Sequence, residues 1–322
     1  MIKAAIVGMG RWGQNLVNSV QGKSERIRFT DGMLRRPETM QAYAQQSGLT
    51  LYGDYDALLA DQSVDAVVLA TPHQLHVDQI VAAAQAGKAV FCEKPLALTL
   101  AEAGRAVRAC ETAGVALGVG HDKRFWPSMQ EVKRQVESGV LGTLLHIEGN
   151  LSNENSRATY REWRGQAEHS PGGSLTATGI HILDAFVHLM GPVARIQASY
   201  LGSPGPEVQD TMAMLFEFKS GATGLLASVR PTPVFWRMHA FGTTGSVEAR
   251  GADDVELRIS GQPLQLIHAE PLDALRFELE AFADAVSGVA PYPISHAQML
   301  LTAQTLEAAA RAVDTRSPVT LD

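Results

Sequence analysis

Glu93-Lys94-Pro95 ends the apolar run Lys88-Ala89-Val90-Phe91-Cys92. A lysine at the C-terminal end of a strand in an open α/β sheet points into the crevice where ligands bind. Pro95 removes a backbone donor and restricts Lys94 to extended geometry, so the position is stiff. A rigidly held, desolvated ammonium can have its proton affinity lowered and then transfer protons. A second cluster, Gly8-Met9-Gly10-Arg11-Trp12-Gly13, lies between a strand and a helix with G-x-G-x-x-G spacing. Such glycines allow a tight turn, close approach of a pyrophosphate and close helix–strand packing, with the anion on the helix N-terminus. A third runs from Gly172-Gly173-Ser174 through Thr176, Ala177 and Thr178 to His181, which begins an apolar helix ending at Met190-Gly191-Pro192. His181 is either an acid–base group or a hydrogen-bonded core residue. Asp184, three positions on, either orients it or caps a neighbour.

Dinucleotide type is set where the second strand ends. The chain offers Met33-Leu34-Arg35-Arg36-Pro37 there, while Asp31 falls inside the strand. Two arginines without a carboxylate at the tip favour a 2′-phosphate. NADP(H) is therefore the preferred cofactor, with NAD(H) as the other possibility. Thr71-Pro72-His73-Gln74-Leu75-His76 follows another strand at the same sheet edge. Its histidines either contact the cofactor or pack at a helix start. Trp163-Arg164 and Lys123-Arg124-Phe125 are candidates for holding a hydroxylated or carboxylated ligand. The histidines have no Cys or carboxylate neighbours at metal-ligand spacing, so no metal is expected.

These residues need a scaffold, and the pattern supplies one. Ile2–Val7, Ile27–Leu34, Asp65–Ala70, the Lys94 strand and Ala116–Val119 read as buried strands of a six-stranded count. Between them lie helices over 11–20, 37–47 and 76–86 and one from the Thr99-Leu100-Ala101-Glu102 capping box to Ala113. That is an α/β Rossmann domain, a doubly wound parallel sheet, over residues 1–121. Residues 122–322 read as an α+β domain with an open, mostly antiparallel sheet. It has a helix over 128–138 and strands over 144–151, 196–201, 211–219, 223–230, 236–242 and 246–250. The final helix, 296–313, is expected to pack back on the first domain. In Met212-Ala213-Met214-Leu215-Phe216 both alternating sets are apolar, so one face should meet helices and the other a second subunit.

The chain has 322 residues, 45% hydrophobic and 19% charged, with a net charge of −7. This is an ordinary globular composition that gives no support for a nucleic-acid or membrane-surface partner. Cys92 and Cys110 both lie in apolar segments, which suits reduced thiols in a cytoplasm. The apolar N-terminal stretch is too short for a signal peptide and runs straight into glycines.

Taken together, the motifs resemble the Gfo/Idh/MocA family of NAD(P)-dependent oxidoreductases over nearly the whole chain. The resemblance rests on the glycine motif, Ala70-Thr71-Pro72 with His76, and Ala86-Gly87-Lys88 leading into Glu93-Lys94-Pro95. Arg124-Phe125-Trp126-Pro127, Trp163-Arg164 and Gly172-Gly173 through Gly179-Ile180-His181 complete it. It implies hydride transfer between nicotinamide C4 and a hydroxyl or carbonyl carbon of a small polyhydroxylated substrate such as a sugar or cyclitol. By that similarity Lys94 and His181 are catalytic and the Lys94–Pro95 bond is cis. Cofactor contacts fall to residues 8–13, Arg35, Arg36, Thr71, Pro72, His73, His76, Glu93 and Lys94. Substrate contacts fall to Arg124, Trp163, Arg164, Thr178 and His181. Dimers or tetramers form through the second domain's sheet. One departure stands out: many members carry an aspartate four residues before the histidine, where this chain has Ala177. A histidine without that carboxylate lacks its upward push on the pKa. The alternative reading is a catalytically silent dinucleotide-binding sensor of the same fold.

Overall fold

The alternation of strand and helix expected from the N-terminus is present in a computed structural model, which describes residues 1–153, 171–201, 211–230 and 232–321. Two units are formed. One contains Met1–Asp122 and Asp273–Leu300, the other Lys123–Leu272 and Leu301–Asp322.

The first unit runs β1 (Ile2–Val7), α1 (Arg11–Val20), β2 (Ile27–Met33), α2 (Gln41–Ser47), β3 (Thr50–Tyr52), α3 (Tyr55–Ala60) and β4 (Ala66–Leu69). It continues with α4 (His73–Gln85), β5 (Ala89–Glu93), α5 (Leu100–Ala113) and β6 (Leu117–Gly120). The six strands are all parallel in the order β3-β2-β1-β4-β5-β6. The order reverses between β1 and β4, so the loops after those two strands flank the topological switch point. Every residue of β4 and β5 is buried, as in a sheet covered on both faces. Thr99 caps α5 as its sequence implied, its Oγ1 accepting from Glu102 N at 3.3 Å.

Some elements differ from the sequence reading. Strand β3 and helix α3 leave no clear mark in the sequence, since three and six residues carry too little period. Helix α4 starts at His73 rather than His76, because Pro72 at its N-cap already holds φ −59° and the chain turns helical at once. The segment Asp273–Leu300, expected in the second domain, groups with the first unit. Its Phe282 ring meets Phe91 of β5 edge-on at 5.6 Å, and Tyr292 Oη donates to Val119 O of β6 at 2.8 Å.

The second unit holds α6 (Pro127–Glu137), β7 (Leu144–Ser152), α7 (Ile180–Met190), β8 (Val193–Leu201), β9 (Thr211–Phe218), β10 (Thr223–Val229) and β11 (Phe235–Gly242). After these come β12 (Gly245–Arg250), β13 (Asp254–Ile259) and β14 (Gln265–His268). Helix α8 (Ala274–Val286) belongs to the first unit, α9 (His296–Thr315) crosses the division at Leu300, and β15 (Val319–Thr320) closes the chain. Among the described residues the nine-stranded sheet has the order β14-β13-β12-β11-β7-β10-β9-β8-β15, and only β7–β10 pair in parallel. Along β9, Met212, Met214, Phe216 and Phe218 turn inward, and Phe186 of α7 meets Phe216 edge-on at 5.3 Å. Gly149 of β7 admits α7 closely: a Cβ there would stand 2.4 Å from Ile182 Cγ2. On the other face Leu215 is 55% exposed. No helix among the described residues is long and apolar enough to cross a membrane.

Candidate active site

The glycine turn is built by contact. Gly8 adopts φ +93°, and a Cβ on it would stand 2.7 Å from Ala70 O, so the loops after β1 and β4 touch. A Cβ on Gly13 would lie 2.1 Å from Gly8 O, which packs α1 against its own entry turn. Gly10 differs, because nothing lies within 4 Å of its Cβ position. It is the N-cap of α1 with no side-chain cap, and the first turn carries no acidic residue. The first backbone N–H groups of a helix have no intrahelical acceptor and favour an anion. An open glycine with uncapped amides fits a dinucleotide pyrophosphate. Met9, expected among cofactor contacts, packs its Sδ beneath Gly32, where a Cβ would meet it at 2.6 Å. Arg11 and Trp12 are exposed.

At the end of β2, Asp31 lies inside the strand, 5% exposed, and its carboxylate accepts from Thr30 Oγ1 at 2.6 Å. Burial pushes its carboxyl above the ordinary range despite that bond. Arg35 and Arg36 follow the strand end, and both are exposed. No carboxylate is paired with either among the described residues.

Beyond β4, Thr71 Oγ1 donates to Gln79 Oε1 at 2.6 Å. His76 is fully buried, with Nδ1 2.8 Å from Pro95 O and Nε2 2.9 Å from Thr71 O. Burial pushes its imidazole below the usual value, against the pull of the two carbonyls. His73, also buried, meets the His76 ring edge-on at 5.8 Å.

At the end of β5 the Lys94–Pro95 peptide is cis. Lys94 is half-buried and Glu93 is 6% exposed. Glu93 Oε2 accepts from Lys94 N at 3.2 Å, while Oε1 is buried with no hydrogen-bond partner among the described residues. The carboxylate lies over Gly120, whose Cβ would meet Oε1 at 2.8 Å. Burial pushes the Glu93 carboxyl up to about 7. A Trp12 hydrogen bond and the Lys94 charge oppose the rise, and Asp122 adds to it. Asp122, buried just past β6 next to the buried His121, thus belongs to the same cluster. The rule that singled out Lys94, a polar residue at a strand's C-terminal end, would have found them too.

In the second unit a π-helix, Leu175–Gly179, leads into α7. Such turns occur often at functional sites. Thr178 spends its hydroxyl internally, donating to Ser174 O at 2.9 Å and lying 3.3 Å from Ser228 Oγ. His181 is 9% exposed, and the half-buried Ala177 supplies no charge on the preceding turn. Asp184 forms a bidentate pair with Arg124, with Nε donating to Oδ2 at 2.7 Å and an Nη to Oδ1 at 2.6 Å. Both side chains are nearly inaccessible. Arg124 also lies 3.1 Å from His188 Nδ1, and burial together with that charge pulls His188 down to about 3. Trp163 and Arg164 lie outside the described residues. No group of three His, Cys, Asp or Glu side chains among the described residues could hold a metal ion.

Within the first unit, residues 8–13, Arg35, Arg36, Thr71, Pro72, His73, His76, Glu93 and Lys94 therefore all lie at the C-terminal edge of one parallel sheet. Arg124, Thr178 and His181 lie in the second.

Comparison with known proteins agrees with this architecture. Residues 2–121 match the model of the Gfo/Idh/MocA oxidoreductase family, NAD-binding Rossmann fold, and residues 129–248 match a Gfo/Idh/MocA C-terminal domain. The 2,7-anhydro-N-acetylneuraminate hydratase of Escherichia coli is 30% identical, over 81% of this chain and 71% of its own. The NADP(+)-dependent D-xylose 1-dehydrogenase 2 of Haloferax volcanii is also 30% identical, over 87% of this chain and 88% of its own. The crystal structure of aldose-aldose oxidoreductase from Caulobacter crescentus, complexed with glycerol, superposes with a TM-score of 0.90 at 26% identity, covering 99% of both chains. The chain belongs to the Gfo/Idh/MocA oxidoreductase family.

Proposed function

From that membership, we propose that the protein is an NADP(H)-preferring oxidoreductase acting on a hydroxyl-bearing or carbonyl carbon of a sugar, cyclitol or related small molecule. The observation that carries the reading is Lys94, a half-buried lysine at the end of β5, on the same sheet edge as an uncapped helix N-terminus and an open Gly10. Residues 8–13 hold the pyrophosphate, and Arg35 and Arg36 take the 2′-phosphate by paired guanidinium bonds. Thr71, Pro72 and His73 bound the ribose and nicotinamide, His76 acts indirectly through the backbone carbonyls of Thr71 and Pro95, and Glu93 Oε1 accepts a donor from that half of the cofactor. The bound nicotinamide supplies hydride exchange at C4. Lys94 polarises the substrate oxygen and moves its proton, and His181 is the second acid–base group. Arg124, Thr178, Trp163 and Arg164 are assigned to the substrate side. For Arg124 and Thr178 this role is indirect, through the partners described above.

Oligomerisation through the sheet face that carries Leu215 gives a homodimer or homotetramer, and the two buried thiols fit a reducing cytoplasm. The competing reading, a sensor without turnover, is motivated by Ala177. A nicotinamide absorbance assay over sugars, cyclitols and keto-compounds separates the two, and Lys94→Ala tests the mechanism. That variant should lose turnover by orders of magnitude and keep dinucleotide affinity within a few-fold. Near-normal turnover would remove Lys94 from the chemistry.

A further inference from the structure

His76 joins two loops that the proposed chemistry needs in register. Its imidazole lies on the first turn of α4, is fully buried, and aims both nitrogens at backbone. Nδ1 reaches Pro95 O, 19 residues away, at 2.8 Å, and Nε2 reaches Thr71 O at 2.9 Å. Both partners can only accept, so a neutral ring donates to one of them and an imidazolium to both. Pro95 follows Lys94 directly, and Thr71 opens the loop after β4 beside the switch point. Helix α4 holds that loop a second time, through Gln79. Among the described residues His73 meets the ring edge-on, and Lys94 and Glu93 precede Pro95 on the tied loop.

A residue that merely filled space here would need no nitrogen. The ring spans two loops, with a nitrogen within hydrogen-bond distance of each; in either neutral tautomer it donates to one carbonyl and packs against the other, and the two tautomers together tie both loops to one strut. We propose that His76 is a positioning residue: a single buried imidazole that sets Lys94 relative to the Thr71-Pro72 loop. The role rests on Lys94 being the proton-transfer group, as assigned above.

The strut can be cut at either end. An Asn amide nitrogen falls near the place of Nδ1 and a Gln amide nitrogen near that of Nε2. His76→Asn thus keeps a donor toward Pro95, and His76→Gln keeps one toward Thr71. His76→Phe keeps the ring and loses both. Two readouts need no substrate: amide hydrogen exchange over 70–73 and 93–97, and the acetylation rate of Lys94 by acetic anhydride across pH 6–9, read by mass spectrometry. With His76→Phe, exchange in both segments should rise about tenfold, and the Lys94 rate should change about threefold or more. Asn should restore the 93–97 segment and the Lys94 profile, and Gln the 70–73 segment only. Wild-type Lys94 reactivity in His76→Phe, or identical behaviour of Asn and Gln, overturns the proposal. If His76→Phe does not fold, the contrast between Asn and Gln decides alone. Retained turnover in Lys94→Ala would instead overturn the role of Lys94, with labelling and exchange still judging the strut.

Discussion

Gly10 and Gly13 are three residues apart in one turn, yet a methyl group should have opposite consequences at the two. At Gly13 the new Cβ would stand 2.1 Å from Gly8 O, a backbone atom, more than 1 Å inside ordinary contact. Overpacking of this kind costs about 1–3 kcal/mol, and the upper end applies because neither partner is a flexible side chain. For a unit of this size the melting temperature should fall about 2–4 °C per kcal/mol. At Gly10 the Cβ meets nothing within 4 Å, and φ −66°, ψ −176° is open to alanine. The lower freedom of the unfolded chain gains about 0.4–1 kcal/mol, which roughly offsets the poorer N-cap. Melting should therefore barely change.

Dinucleotide affinity separates the pair further. If a pyrophosphate approaches the α1 amides past Gly10, a methyl group there displaces it from one or two charge-assisted bonds worth about 1.5–3 kcal/mol each. A loss of even the lower figure raises Kd about tenfold. The assay is NADPH fluorescence titration alongside calorimetry, with Gly10→Ala and Gly13→Ala in parallel. Gly10→Ala should melt like the wild type and bind at least about tenfold more weakly. Wild-type binding by Gly10→Ala would refute the placement of the pyrophosphate. A melting loss equal to that of Gly13→Ala would refute the geometric argument for open space.

Three further outcomes follow from the same geometry. Replacing Arg35 and Arg36 together by Ala should weaken NADPH binding while sparing NADH, and equal losses for both would place the 2′-phosphate elsewhere. Asp184→Asn should cost about 3–5 kcal/mol in denaturant unfolding by stranding the buried Arg124 charge, and Arg124→Met with Asp184→Leu should recover most of it. A single-variant cost below about 1 kcal/mol would contradict a buried structural pair. Glu93, pushed up to about 7 from an ordinary 4.5, keeps its proton in the folded state over a range where the unfolded chain has lost it. Its contribution is complete below about 4.5 and fades as pH rises through about 7, so Glu93→Gln should gain stability relative to the wild type across that window. A pH-independent difference between the two proteins would exclude a proton-holding Glu93.

The first unit was largely legible because its grammar is local. Ile2–Val7 and Arg11–Val20 are found where the periodicity put them, and the residues with chemistry follow strand ends within one or two positions. What escaped was either too short to have a period, like Thr50–Tyr52, or distant in sequence, like the segment 273–300 that covers β5 and β6 through Phe282 and Tyr292. The partner of Asp184 shows the same limit. Helical spacing offered His181, three residues away, yet the carboxylate pairs with Arg124, 60 residues earlier. No period encodes such a pair. The register between the 3₁₀ turn at Asp122–Phe125 and α7 decides it, and packing sets that register.

That contrast separates two kinds of specificity in the chain. Arg35 and Arg36, the residues proposed to read the cofactor, are contiguous with a strand end and exposed, and among the described residues no side-chain hydrogen bond or ion pair ties either to the sheet. They can change without disturbing the sheet. Several buried polar groups of the second unit are already committed to one another: Arg124 to Asp184, Thr178 to Ser174 O and Ser228, Ser228 to Leu151 O. Altering one of these leaves a buried partner unsatisfied, which costs about 1–3 kcal/mol for a neutral group and more for a charge. On the proposed function, substrate range is expected to change at least cost at positions outside that network, such as Ala177, which is half-buried on the turn before His181.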